Sequence, residues 1–173
     1  TKLLIEAGAD VNAAGGRCGS ALQAAAASGN EDVVELLVAH GADVNKQGGL
    51  FGNALQAAAA NGFQSLVERL LAAAANVDAK GGEYSFALQA ASFEGHDDIV
   101  KCLIAHGADV NAERGRYGNA LLAAASEGHT TIVEQLLVHG ADPNAEGGFF
   151  GRALHEAAGR GHKRVVELLV QHG

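Results

Sequence analysis

A five-residue string, Gly-Ala-Asp-Val-Asn, recurs along this chain at a constant spacing of 33 residues. It stands at Gly8 to Asn12, Gly41 to Asn45 and Gly107 to Asn111, with near-copies at Ala74 to Asp78 and Gly140 to Asn144. A fixed period without insertion or deletion is typical of solenoid proteins, because each unit is too small to bury its own apolar face and needs stacked neighbours. The spacing therefore predicts a repeat architecture, and it directs the search for function to an extended surface.

One repeat, residues 12–44, has the pattern of a loop followed by two short helices. Residues 13–19 are rich in glycine, which predicts a turn or hairpin. Ser20 is a good N-cap for the alanine-rich run that follows, and Gly29 ends this first, inner helix. A second, outer helix has apolar and acidic residues on opposite faces and ends at Gly41.

This unit resembles the ankyrin repeat, and the resemblance covers the whole chain. It is carried by the pairs Gly95-His96, Gly128-His129 and Gly161-His162, by an outer helix similar to Ile-Val-x-x-Leu-Leu, and by the recurrent Gly-Ala-Asp-Val-Asn. The resemblance implies an all-α ankyrin-repeat solenoid of helix-turn-helix units with short β-hairpin loops, about five and a half repeats long. We expect a single domain with a partial repeat at residues 1–11 and repeats at 12–44, 45–77, 78–110, 111–143 and 144–173.

The chain departs from the family at the opening of the inner helix, where Thr-Pro-Leu-His is usual and Ala-Leu-Gln stands in three repeats. Ser and Asn can still cap this helix, but Phe86 and Arg152 cannot, so two inner helices should begin less firmly. The hairpins at 48–52 and 147–151 read Gly-Gly-x-aromatic-Gly. That variant is similar to the arrays of fungal NACHT-type immune receptors, which implies a fragment of a larger signalling protein with the array as its sensor.

Composition excludes several function classes. The formal net charge of -8 disfavours binding to nucleic acid or to an anionic membrane, and no apolar run reaches the length of about 18 residues that a membrane helix needs. Cys18 and Cys102 lie about two and a half repeats apart, beyond the reach of a disulfide, so we expect free thiols in a reducing, cytoplasmic compartment.

No catalytic or metal-binding pattern is complete. The run from His155 to Gly159 lacks the second histidine of a zincin helix. The other histidines fall in two columns spaced one repeat apart, about 10 Å, which is too far for one zinc ion to be shared, so they should hydrogen-bond turns and helix ends. We expect a non-enzyme without metal, cofactor or small-molecule substrate.

Irregular columns indicate where a partner could bind, since a residue type that recurs in every repeat serves the stack. In this family the concave face is made of hairpin tips and inner helices. The tip column mixes charged and apolar residues: Arg17, Leu50, Glu83, Arg116 and Phe149. The ends of the inner helices add Phe93, Glu94, Glu127 and Arg160. A regular aromatic column beside the tips either packs one hairpin on the next, contacts a ligand, or does both: Phe51, Tyr84, Tyr117 and Phe150.

These features predict a protein–protein interaction module that binds a protein partner on its concave face. The alternative is a structural spacer between flanking domains, which a smooth face of small residues would favour. A nucleic-acid binder is a third possibility, which the net charge opposes. We expect a monomer that can associate end to end, with Leu3, Leu4, Leu168 and Leu169 on partly open ends of the stack.

One junction differs from the others, because Ala74 replaces the glycine that closes each outer helix. If position 74 keeps the left-handed conformation that glycine supplies, its Cβ costs about 1 kcal/mol. The sequence therefore predicts a weakened junction there.

Overall fold

The computed structural model describes residues 1–148 and 151–173, which form helix pairs separated by hairpin loops. A short helix, α1 (Lys2–Glu6), comes first. The inner helices are α2 (Ala21–Ala27), α4 (Ala54–Ala60), α6 (Ala87–Glu94), α8 (Ala120–Glu127) and α10 (Ala153–Gly159). Their outer partners are α3 (Glu31–Ala39), α5 (Gln64–Ala72), α7 (Asp97–Ala105), α9 (Thr130–Val138) and α11 (Lys163–His172). Two hairpins contain antiparallel strand pairs of two residues each: β1 (Ala14–Gly15) with β2 (Gly19–Ser20), and β3 (Glu146–Gly147) with β4 (Gly151–Arg152).

Each inner helix packs on the next inner helix and on its own outer partner, while the outer helices contact one another less extensively. Alanine permits this close approach, and all of Ala54–Ala60 is buried. In the outer helix α5 only one face is covered, where Leu66, Val67 and Leu70 have no exposed surface. The core is therefore a long, thin layer, and the predicted all-α solenoid is confirmed.

The predicted differences between the inner-helix N-termini are also confirmed. Ser20, Asn53 and Asn119 each accept a hydrogen bond from the backbone N–H three residues later, at 2.8 to 3.3 Å. Phe86 and Arg152 make no such bond in the part of the chain that the structure describes. The Phe86 side chain is buried in the stack instead, at 4% exposure.

A glutamine in the first turn of three inner helices ties the second, third and fourth hairpins to the preceding repeat. The Gln23 side-chain amide donates to the carbonyl oxygens of Lys46, Gly48 and Gly52 at 2.8 to 3.1 Å. Gln56 and Gln89 make the same three bonds to residues 23, 25 and 29 positions further along. These buried and partly buried bonds place the hairpins relative to the helices.

Asparagines form a second ladder between the loops that follow the outer helices. The Asn12 amide nitrogen donates to the Gly41 carbonyl oxygen at 2.9 Å, and the amide oxygen accepts from the Asp43 N–H at 2.7 Å. Asn45 and Asn111 make the same pair of bonds to the next loop. The recurrent Gly-Ala-Asp-Val-Asn string is therefore a contact between repeats.

The histidine columns have the structural role predicted for them. The Nε2 atoms of His96, His129 and His162 lie 2.9 to 3.2 Å from the carbonyl oxygen of the residue 36 positions earlier, in the preceding repeat. In the second column Nδ1 lies 2.7 to 2.8 Å from the carbonyl oxygen four residues earlier, at His40, His106, His139 and His172.

The prediction that leucines lie on partly open ends of the stack is confirmed at the N-terminal end only. Leu3 and Leu4 are 81% and 66% exposed, as predicted. The prediction was wrong for Leu168 and Leu169, which are 4% and 3% exposed because α11 turns this face toward α9 and α10. The apolar residue that α11 turns to the surface is Val170, at 64% exposure.

Candidate partner-binding surface

The first three hairpin tips lie side by side and are joined by backbone hydrogen bonds. The Leu50 N–H donates to the Arg17 carbonyl oxygen at 2.9 Å, and the Glu83 N–H donates to the Leu50 carbonyl oxygen at 3.0 Å. All three side chains are exposed, Leu50 to 44%. The irregular tip column thus forms a continuous row on the surface over these hairpins.

The third and fourth hairpins meet the end of α6 in a cluster of three rings, Tyr84, Phe93 and Tyr117, which we call the aromatic cluster. The two tyrosine rings are stacked, with centroids 5.5 Å apart and planes 14° apart. The Phe93 ring is tilted against both, with its centroid 4.4 Å from that of Tyr117 and 6.1 Å from that of Tyr84. These separations are those of favourable aromatic pairs, so the rings hold one another in place.

The aromatic residues differ in exposure, and this difference distinguishes rings that pack inside the array from rings that remain accessible on its surface. Tyr117 is 6% exposed and forms the floor of the aromatic cluster. Phe51 is partly buried and packs against the core. Tyr84 and Phe93 keep part of their surface exposed. Tyr84 and Tyr117 therefore pack the third hairpin on the fourth, and the Tyr84 and Phe93 rings keep exposed surface.

Carboxylates border the cluster and act on its hydroxyl groups. The Tyr84 hydroxyl donates to Glu94 Oε1 at 2.5 Å. Burial raises the pKa of Tyr84 well above its ordinary value, and the hydrogen bond to Glu94 raises it further. Burial also raises the pKa of Tyr117, and the nearby Glu83 carboxylate adds to that rise. Both tyrosines therefore stay neutral through the physiological range.

Two arginines of the predicted surface have partners within the chain. The Arg116 guanidinium carbon lies 5.8 Å from the Tyr117 ring centroid, within cation–π range. Arg160 Nη1 lies 2.6 Å from Glu127 Oε1, and its Nε lies 3.5 Å from Glu156 Oε2. Arg160 and Glu127 thus form a pair at the end of the surface, next to the cluster.

The structure brings most of the predicted residues into one region. Those at the aromatic cluster are Glu83, Tyr84, Phe93, Glu94, Arg116 and Tyr117. Arg17 and Leu50 extend the region along the earlier tips. Phe149 and Phe150, also predicted to contact a partner, lie outside the described residues.

Sequence reasoning missed a groove on the opposite, outer-helix side. It encloses about 380 Å³ between α3 and α5, is lined by Val34, Val38 and Leu70, and has Glu35 and Arg69 at its rim. The sequence does contain an irregularity beside this groove. Position 73 is alanine, whereas histidine stands at positions 40, 106, 139 and 172. Ala73 is one of the residues that line the groove.

The two cysteines are free thiols, as predicted. Both are partly buried, Cys18 in the first hairpin and Cys102 on α7. Burial raises the pKa of Cys102, and the Glu68 carboxylate adds to the rise. A thiol with a raised pKa is mostly protonated at neutral pH and is a poor nucleophile.

Tandem helix pairs, stacked hairpins and ladders that recur every 33 residues define a helical repeat protein. The family model described as ankyrin repeats (3 copies) matches residues 55–147 and 87–173, and the model described as ankyrin repeats (many copies) matches residues 1–38 and 22–71. These matches span the chain, which therefore belongs to the ankyrin repeat family. Comparison with curated proteins finds no match. None of the described helices combines the length and apolar character that crossing a membrane requires.

Proposed function

We propose that this array is a protein–protein interaction module that binds a protein partner along its hairpin tips and inner-helix ends. The aromatic cluster carries the proposal, because Phe93 stands where Ala27, Ala60 and Ser126 stand in other repeats. Stacking does not require a ring at this position, yet the ring is partly exposed. Exposed aromatic anchors on a rigid surface are typical of binding hot spots.

The proposed surface contains both the aromatic cluster and its charged border. Its members are Arg17, Leu50, Phe51, Glu83, Tyr84, Phe93, Glu94, Arg116, Tyr117, Glu127, Phe149, Phe150 and Arg160. The ladders between repeats support a pre-organised surface, which lowers the entropy lost on binding. In this proposal the chain acts as one domain in the cytoplasm, without catalysis, metal or cofactor, and the fungal immune-receptor context stays a prediction.

The test compares a partly exposed and an exposed apolar side chain on different faces. Phe93 lies on the proposed surface, and Val138 is 72% exposed on the outer helix α9. A partner captured from a native lysate is purified and titrated calorimetrically against wild type, Phe93→Ala and Val138→Ala. We expect Phe93→Ala to weaken binding by more than about 1 kcal/mol and Val138→Ala to leave it unchanged.

Thermal melts accompany the titration, because the Phe93 ring also packs on Tyr117. Equal affinity of both variants and wild type would remove this surface as the binding site. If the wild type retains no partner from the lysate, this would favour the alternative function, a structural spacer between flanking domains.

A further inference from the structure

Three carboxylates surround the aromatic cluster. Glu83 precedes Tyr84 at the third hairpin tip, and Glu94 accepts the hydrogen bond from the Tyr84 hydroxyl. Glu127, at the end of α8, approaches from the next repeat, and all three carboxylates raise the pKa of Tyr117. Glu94 thus contacts the Tyr84 hydroxyl, Glu83 is the neighbour of Tyr84 in the chain, and Glu127 pairs with Arg160 of the following repeat.

Positive charge is scarcer at this place. Arg160 divides its interaction between Glu127 and Glu156. Arg116 is exposed, and its guanidinium lies over Tyr117. The chain thus already places one cation against a ring of the cluster. Two carboxylates, Glu83 and Glu94, remain exposed beside the partly exposed rings.

We infer that the partner presents an arginine or lysine side chain to the aromatic cluster, between the Tyr84 and Phe93 rings and the carboxylates of Glu83 and Glu94. This inference rests on the proposed function and adds the chemical class of the bound group. The negative faces of the rings and the neighbouring carboxylates both favour a cation. An acidic partner would meet like charge, and an apolar partner would desolvate Glu83 and Glu94 without pairing them.

The experiment uses two substitutions with opposite expected effects. Random peptides of 12 residues displayed on phage are selected on the full chain, and selected peptides are then synthesised and titrated against variants. We expect the selected peptides to share an arginine or lysine at one position. Replacing that residue of the peptide with glutamine should weaken peptide binding about two- to fivefold or more. Glu83→Gln should weaken binding by about the same factor, and Arg116→Gln should strengthen it because a competing cation is removed.

Glu68→Gln is the matched control, since it makes the same change of charge on the exposed side of the outer helix α5. It should leave peptide affinity unchanged, whereas a general effect of net charge would alter Glu68→Gln and Glu83→Gln equally. Phe93→Ala identifies the peptides that bind at the cluster. All variants are checked for unchanged thermal melting.

Four outcomes overturn the inference. A cationic ligand is excluded if peptides require Phe93 but carry no basic residue. It is also excluded if peptides bind more tightly to Glu83→Gln than to wild type. Both outcomes are compatible with the proposed interaction module. Equal responses of Glu68→Gln and Glu83→Gln exclude a local effect. A selection that yields no peptide dependent on Phe93 shows that the cluster is no docking point, and the partner titration above then decides the proposed function separately.

Discussion

The Ala74 backbone is left-handed, with φ 63°, and its carbonyl oxygen accepts a hydrogen bond of 3.1 Å from the Asn45 side-chain amide in the preceding loop. The equivalent positions are glycines with φ between 84° and 88°: Gly8, Gly41, Gly107 and Gly140. The bond from Asn45 keeps the Ala74 carbonyl in the register of the ladder. Position 74 therefore retains the conformation that glycine supplies elsewhere, which meets the condition for the predicted weak junction, and its Cβ strains the junction.

Ala74→Gly should stabilise the array. Removal of the Cβ relieves about 1 kcal/mol, and the greater freedom of glycine in the unfolded chain offsets about 0.4 to 1 kcal/mol of that gain. Urea melts measure the small net rise. Ala72→Gly, at the last residue of the helix α5, is the control and should lower stability by up to about 1 kcal/mol. A less stable Ala74→Gly would contradict the strain argument.

Asp78→Asn should strengthen the next junction. Asp78 Oδ1 accepts a hydrogen bond from the Asp109 N–H at 3.1 Å, but an ionised carboxylate has no proton to donate to the Gly107 carbonyl oxygen. Asn45 makes both bonds at the equivalent position. We expect a gain of about 0.5 to 1.5 kcal/mol in urea melts, and a comparable loss for Asn45→Asp. Equal stability of all three proteins would show that the second bond contributes nothing.

Gln56→Leu should destabilise the array by about 1 to 3 kcal/mol, because three carbonyl oxygens of the third hairpin lose their shared donor. Leu122 occupies the same position two repeats later and is 1% exposed, so leucine is compatible with the fold there. Gln64→Leu, on the exposed face of α5, is the control and should change stability by less than about 0.5 kcal/mol. If Gln56→Leu melts at the same temperature as wild type, the hydrogen bonds from the Gln56 side chain contribute nothing measurable to stability.

Ser92→Ala should raise stability by about 1 kcal/mol. The Ser92 hydroxyl is fully buried and has no hydrogen-bond partner among the described residues, whereas alanine is buried at the equivalent positions 59 and 125. Replacing an unpaired buried hydroxyl with hydrogen removes its desolvation penalty. Ser126→Ala is the comparison, since its hydroxyl donates to the Ala123 carbonyl oxygen at 2.9 Å, and it should show no such gain. Thermal melts of both variants decide the matter.

Alkaline pH should destabilise the fold through the aromatic cluster. Tyr84 and Tyr117 both have raised pKa values in the folded state, so the unfolded chain releases these protons first as the pH rises through about 10. Since the unfolded state then binds fewer protons, the free energy of unfolding falls with increasing pH above that value. Tyr84→Phe should reduce this slope.

Ultraviolet absorbance provides a direct measurement, because the chain has two tyrosines and no tryptophan. Tyrosinate absorbance near 295 nm should develop near pH 10 in urea and only at higher pH in the native protein. Coincident titrations in the two states would contradict the burial of the hydroxyls.

Features that depend on neighbouring residues were predicted correctly from the sequence. The N-caps at Ser20 and Asn53 and the uncapped helix at Phe86 follow from local hydrogen bonding. The irregular columns also predict which surface residues stacking does not require, and their role in binding stays a prediction. These parts of the fold and of the candidate site are properties of short segments.

Only the tertiary structure showed how the repeats contact one another. The side-chain amides of Gln23 and Asn12 donate to carbonyl oxygens 23 to 29 residues away. The Phe93 and Tyr117 rings come from adjacent repeats and contact each other. The burial of Leu168 was predicted incorrectly for the same reason, since it depends on the angle at which α11 packs on its neighbours. A periodic sequence determines that repeats stack, but the rotation and separation of adjacent repeats determine which side chains meet, and these follow from packing over the whole interface.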